Sequence, residues 1–153
     1  MNKLLLYTLF ALLTTQCGQR KDESSKIPDR IIPVTNSQTV IIPYDSEKYG
    51  FFNNSKPTNL SANEIKTLDS ILVRCVTDYN LKIDIKKYNR QYIPALTSNN
   101  EKIVYINSLC HIPNNDYWKK ELMNVKDGGE CYFQLKVNLN KRTYYDMNVN
   151  GDA

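Results

Sequence analysis

The side chains best able to do chemistry are four cysteines and one histidine: Cys17, Cys75, Cys110, Cys131 and His111. Three thiols and an imidazole could in principle surround a zinc ion, but the close C-x-x-C spacing that sets two ligands on one turn is missing, so no metal is expected. Cys110 and His111 are neighbours in the chain. On an extended strand, neighbouring side chains point to opposite faces, which makes them a poor thiolate–imidazole pair for nucleophilic catalysis. In an oxidising compartment a disulfide is the simpler fate for such cysteines. Cys110 closes one expected strand and Cys131 opens another, so Cys110–Cys131 is the expected pair, and a bridge from Cys75 to either partner is the rival. Closing that loop of about twenty residues would stabilise the fold by on the order of 3 kcal/mol by restricting the unfolded chain. Cys75 falls on or beside an apolar helical stripe, where a free thiol behaves as a small hydrophobe.

Other chemistry is weakly signalled. No two carboxylates stand out as a pair, and no catalytic residue or cofactor site is expected. Asp127-Gly128-Gly129 lacks the pattern of a phosphate loop and reads as a turn. The aromatics Trp118, Tyr132 and Tyr144, with Tyr88, Tyr92, Tyr105 and Tyr145 around them, could form a surface on which a sugar or peptide stacks. Ordinary cross-strand pairing accounts for them more simply. The chain has 20 basic and 16 acidic residues, net +4. The basic residues are scattered, at most in pairs such as Lys86-Lys87 and Lys119-Lys120, whereas nucleic-acid binding needs a concentrated basic face. Nucleic acid is therefore not an expected partner.

The elements that position these residues begin with a leader. Met1 to Gln16 has one early Lys and then an apolar run from Leu4 to Leu13, too short to span a bilayer and suited to an export signal. Cys17 and the polar run GQRKDESSK follow. Apolar run, Cys and polar tether together resemble a bacterial lipoprotein signal; Thr14 and Gln16 depart from the common pattern, and the bulky Gln16 just before the Cys is similar to Bacteroidetes lipoproteins. The resemblance implies a signal peptide over 1–16, lipid modification of Cys17, a tether over 17–38, and anchoring to the outer membrane of the cell envelope. Acyl chains bind a bilayer with roughly 0.8 kcal/mol per buried methylene. The alternative is plain secretion, with Cys17 an ordinary disulfide-forming residue.

A single domain is expected over 39–153. Thr39 to Pro43 suggests a short edge strand stopped by its proline. Ser61 with Glu64 three residues on makes a capping box, and Leu60 can staple onto Ile65. Ile65, Leu68, Leu72, Cys75 or Val76, and Tyr79 then recur at helical spacing, so a helix is expected over about 61–80, with Asn80 as its stop. Asp69-Ser70-Ile71 inside it resembles a short O-glycosylation motif of exported Bacteroidetes proteins; the helical reading outweighs it. From residue 81 to 151 the pattern is that of a sheet. Tyr88 to Thr97 reads as a strand whose Pro94 implies an edge or a bulge. Lys102 to Cys110 reads as a second, with both faces covered because its alternation is poor. Asn114 to Asp116 could cap a helical turn over Tyr117 to Met123. Cys131, Phe133, Leu135, Val137 and Leu139 alternate with polar residues, and after the turn Asn140-Lys141-Arg142 the residues Thr143, Tyr145, Met147 and Val149 are expected on one face of a last strand. The fold class is α+β: one long helix packed on an antiparallel sheet of about four strands, with a cystatin-like arrangement as the specific expectation.

The pattern Gly128-Gly129-x-Cys131-Tyr132-Phe133, Asn138-Leu139, Tyr144-Tyr145 and Val149-Asn150-Gly151-x-Ala153, with Tyr88, Arg90-Gln91-Tyr92, Val104 to Asn107, Cys110 and Trp118 upstream, resembles a family of small exported proteins and lipoproteins of Bacteroidetes without an assigned activity. The resemblance spans roughly Ile65 to Ala153 and implies no catalytic residues. The expected function is a non-enzymatic, membrane-anchored binding domain with a protein, peptide or glycan partner. An inhibitor or immunity-type protein that blocks a protein partner is the alternative, and a small hydrolase stands third.

Overall fold

Helix α1, Ala62–Asp78, begins where the capping box places it. The Ser61 hydroxyl accepts from the Glu64 amide at 3.3 Å, and the Glu64 carboxylate accepts from the Ser61 amide at 2.7 Å. Two of the amides that a helix start leaves without a partner are thus satisfied. Asn80 ends the helix in the left-handed region, with φ of 53°, a conformation asparagine tolerates better than most residues. Ile65, Leu68, Ile71, Leu72, Cys75 and Val76 form the buried stripe. Ser70 donates to the Lys66 carbonyl at 3.1 Å, within the helix.

The structure, a computed structural model, describes residues 38–151. The expected signal peptide, the lipidation site Cys17 and nearly all of the tether lie outside the described residues. No helix among the described residues is long and apolar enough to cross a membrane.

The sheet is α1's partner and is larger than expected. Among the described residues, strands β1 (Thr39–Ile41), β2 (Ser55–Pro57), β3 (Asn89–Thr97), β4 (Lys102–Leu109), β5 (Tyr132–Asn138) and β6 (Thr143–Val149) make six strands rather than about four. Their order is β1-β3-β4-β5-β6, with β2 also on β3. All pairings are antiparallel except β1 with β3, which is parallel. The fold is therefore α+β, one helix on a mostly antiparallel mixed sheet.

Pro94 marks neither an outer edge nor a bulge. It lies mid-strand in β3, paired opposite Val104. The Arg90 amide donates to Gln38 and the Tyr92 carbonyl accepts from Ile42. By alternation, the backbone of residue 94 also faces the β1 and β2 side. There β1 covers residues 90–92 and β2 covers 95–97. The proline falls in the gap between two short strands, where no neighbour needs the amide it lacks.

Both faces of the sheet are covered, as the poor alternation of β4 implies. On one, Tyr92, Val104, Ile106, Phe133, Leu135 and Val137 pack against α1. Asp69 of α1 ties the helix to β3, accepting from Arg90 at 3.2 Å and from the Tyr92 hydroxyl at 3.0 Å. On the other face, Ile93, Ala95 and Ile103 pack with Val40 and Ile42 and with side chains from two irregular segments, among them Tyr44, Tyr49, Phe52 and Trp118. The expected turn near Tyr117 shortens to a 3-10 turn, Asp116–Lys119, capped by Asn115.

The expected face of β6 is broken by a bulge. Gln134 pairs with Asn148 and Lys136 with Tyr145, so Asp146 and Met147 together stand opposite Leu135. Asp146 takes a φ of 51°. The extra residue reverses the alternation. Tyr144, not Thr143 or Tyr145, joins Met147 and Val149 against the α1 core, and Tyr145 turns outward, 40% exposed.

Candidate functional site

Gln91, Asn107, Gln134 and Asn148 stand directly opposite one another across β3, β4, β5 and β6. They form a row of amides on the sheet face away from α1. Asn107 Nδ2 donates to Gln91 Oε1 at 2.9 Å, Gln134 Nε2 to Asn107 Oδ1 at 3.3 Å, and Asn148 Nδ2 to Gln134 Oε1 at 3.1 Å. A primary amide both donates and accepts, so a chain of them satisfies its own members while leaving bonds to spare.

The inner end uses those spare bonds to hold a loop. Gln91 and Asn107 are buried, at 0% and 1% exposure. Gln91 Nε2 donates to the carbonyls of Trp118 at 2.5 Å and Glu121 at 2.7 Å, and its Oε1 accepts from the Met123 amide at 2.9 Å. Asn107 donates to the Met123 carbonyl at 2.8 Å. At the outer end Asn150 donates to the Val125 carbonyl at 2.6 Å and accepts from Gln134 at 3.2 Å. Segment 118–127 is thereby fixed to the sheet by side-chain amides, since it pairs with no strand along most of its length.

Where this loop meets the outer end of the row, a cleft of about 430 Å3 opens. Its lining includes Phe51 and Tyr105, whose rings stack 3.9 Å apart and 3° from parallel. Gln134, Asn148 and Asn150 line it, as do Asn124 and Lys126. Asn148 is exposed, and its Oδ1 accepts no hydrogen bond among the described residues. Burial pushes the Tyr105 phenol up to about 12, so it stays a neutral hydroxyl at physiological pH. Among the described residues, no carboxylate, thiol or imidazole lines the cleft. The cleft offers aromatic carbon, amide donors and acceptors and the cationic Lys126, which suits binding rather than proton transfer.

The expected aromatic surface is not assembled. Trp118 is a core residue, 3% exposed. Tyr132 lies half-buried on the face away from α1, where its ring fills the space beside Gly128. A Cβ on Gly128 would come within 2.8 Å of that ring, and its φ is +95°, so the position needs glycine for two reasons. Tyr144 is on the opposite face, against α1, donating to Asp78 at 2.6 Å with Arg74 5.6 Å from its ring. That hydrogen bond, with burial, pushes its phenol up to about 12. The aromatic pair that does line a cleft includes Phe51, which sequence reasoning passed over.

Cys110 and Cys131 stand at disulfide distance, with Cα atoms 5.0 Å apart. The Cys110 amide donates to the Cys131 carbonyl at 2.9 Å. Cys75 is buried in the α1 core as a free thiol, which burial pushes up to about 11, so the rival pairing is not formed. The expectation that His111 points away from Cys110 fails. β4 ends at Leu109, so strand alternation does not reach residues 110 and 111. The ligating atoms of Cys110, His111 and Cys131 all lie within 4.8 Å of one another.

No family model, curated protein or solved structure matched the chain when it was compared with them.

Proposed function

We propose that the chain is an exported, non-enzymatic binding domain, lipid-anchored through Cys17 in the cell envelope, and that its cleft takes a glycan. The lipoprotein-like leader and the resemblance to exported Bacteroidetes proteins support the anchor. The single observation that carries the binding reading is the cleft at the open end of the amide row, lined by the Phe51–Tyr105 pair. Sugars present apolar ring faces to aromatic carbon and vicinal hydroxyls to amides, which match each hydroxyl as donor and acceptor. Three lining amides, Gln134, Asn148 and Asn150, already share one network, so they are oriented before a ligand arrives and little ordering entropy is lost on binding. The cystatin-like arrangement is the finer fold reading that accompanies this one, supported by a single helix seated on the antiparallel β3–β6 core. By fold analogy alone it would suit an inhibitor; the cleft favours the glycan.

Calorimetric titration of the chain with envelope oligosaccharides tests the site. Binding is expected, and Asn148→Ala should weaken it about fivefold, the equivalent of about 1 kcal/mol for one neutral hydrogen bond. Tight association with a protein and none with any oligosaccharide would favour the inhibitor. Palmitate labelling that is lost in Cys17→Ala tests the anchor, and labelling that persists overturns it.

A further inference from the structure

We propose that Cys110, His111 and Cys131 become a metal site when their disulfide is reduced, taking zinc or a similarly thiolate-seeking ion. This rests on a different part of the molecule from the glycan cleft and stands or falls separately.

The geometry is nearly that of a bound site. The two sulfurs and an imidazole nitrogen lie within 4.8 Å of one another. Zinc bonds of about 2.3 Å to sulfur and 2.0 Å to nitrogen place tetrahedral ligands roughly 3.3–3.8 Å apart. The imidazole need move little, and the freed sulfurs need only separate from bonding distance. The backbone keeps them adjacent without the covalent bond. β4 and β5 pair from Ile103–Asn138 through Leu109–Tyr132, and the Cys110 amide continues that ladder to the Cys131 carbonyl. The ligand set is soft, two thiolates and an imidazole, which selects zinc or copper(I) over magnesium or calcium.

Access fits as well. His111 is exposed and both cysteines are half-buried, so a reductant and an ion can approach. A dithiol reductant delivers two electrons and two protons to the sulfur–sulfur bond and becomes a disulfide itself. The ion then displaces both thiol protons to solvent, and His111 ligates through a neutral ring nitrogen. Three protein ligands leave the fourth tetrahedral position to water, the arrangement of an exchangeable site rather than a closed structural one. Either the disulfide or the metal would then close the same loop, residues 111–130, which carries Trp118 and one side of the cleft. Cys75, buried at 0% exposure in the α1 core, takes no part.

The test is to reduce the full chain with a phosphine, remove the reductant without oxygen, and titrate with cobalt(II), whose thiolate complexes show charge-transfer absorption. One ion per chain is expected, displaced by zinc, with no such absorption from the oxidised chain. Cys75→Ser should leave it unchanged, Cys110→Ser or Cys131→Ser should abolish it, and His111→Ala should weaken binding by more than the roughly 10–100-fold that loss of an outer partner causes. Absence of the band in the reduced chain, or a band indifferent to His111→Ala, overturns the proposal. If reduction unfolds the chain, circular dichroism becomes the readout. Zinc should then restore the fold in wild type and not in His111→Ala, and a chain that stays unfolded with zinc also overturns the proposal.

Discussion

At the residue scale the amides of one row do different work according to depth. Gln91 bonds two carbonyls, one backbone amide and Asn107 from a position with no exposure. Replacing it with leucine keeps the volume but leaves those groups without partners away from water. Each such loss costs about 1–3 kcal/mol, so Gln91→Leu should destabilise by more than about 3 kcal/mol in urea unfolding. Asn148 ends the same row in solvent, and Asn148→Ala should stay within about 0.5 kcal/mol. Equal losses at both ends would show that the row does not hold the loop. Little of this was legible in the sequence. Gln91 and Asn107 are polar residues inside apolar strands, which is a signal. The row itself depends on register between strands far apart in the chain, and no local pattern encodes register. Cys110–Cys131 was legible because both residues sit at strand ends that the local patterns do mark.

At the element scale, what was readable followed from short-range rules, and what was missed followed from tertiary context. The start of α1 needed only Ser61, Glu64 and the apolar stripe. β2, Ser55–Pro57, has no apolar pattern and exists because β3 offers it an open edge. The β6 bulge at Asp146 reversed a face that simple alternation placed wrongly. The capping box yields a prediction at this scale. Ser61→Ala removes the hydroxyl that caps Glu64 and should cost about 1 kcal/mol. Burial works against the Glu64 charge, but hydrogen bonds from Lys102, at 2.6 Å, and from Ser61 outweigh it and hold the carboxyl below its usual range. A depressed folded-state pKa gives stability that is present above the unfolded value, about 4.3, and is lost as pH falls through the folded one. Thermal melts of wild type and Glu64→Gln should therefore converge as pH drops below about 4 and separate above it. A constant gap across that range would mean the ion pair contributes nothing through charge.

At the scale of the whole molecule, tyrosines lie at each seam between layers, and their ionisation reports whether the layers stay together. Tyr92 sits beneath α1, its phenol pushed up by burial and then by Asp69. Tyr105 lies on the other face against Phe51, pushed up to about 12 by burial. Tyr144 joins β6 to the end of α1 and is raised to about 12 chiefly by its hydrogen bond to Asp78. In the unfolded chain each ionises near 10. Between pH 10 and about 12 the unfolded state has released protons that the folded state retains, so stability falls as pH rises through that window. Below pH 10 these groups give no slope. A phenolate absorbance titration should accordingly show a late phase, above the ordinary tyrosine range. The seam tyrosines should ionise later, together with the loss of helical and sheet circular dichroism. In Tyr144→Phe the late phase should lose one phenolate of absorbance while remaining tied to unfolding, because Tyr92 and Tyr105 still report the helix–sheet and sheet–loop seams. If the late tyrosines ionised one by one with the dichroism intact, the seams would open independently, and the two cores on either side of the sheet would not melt as one unit.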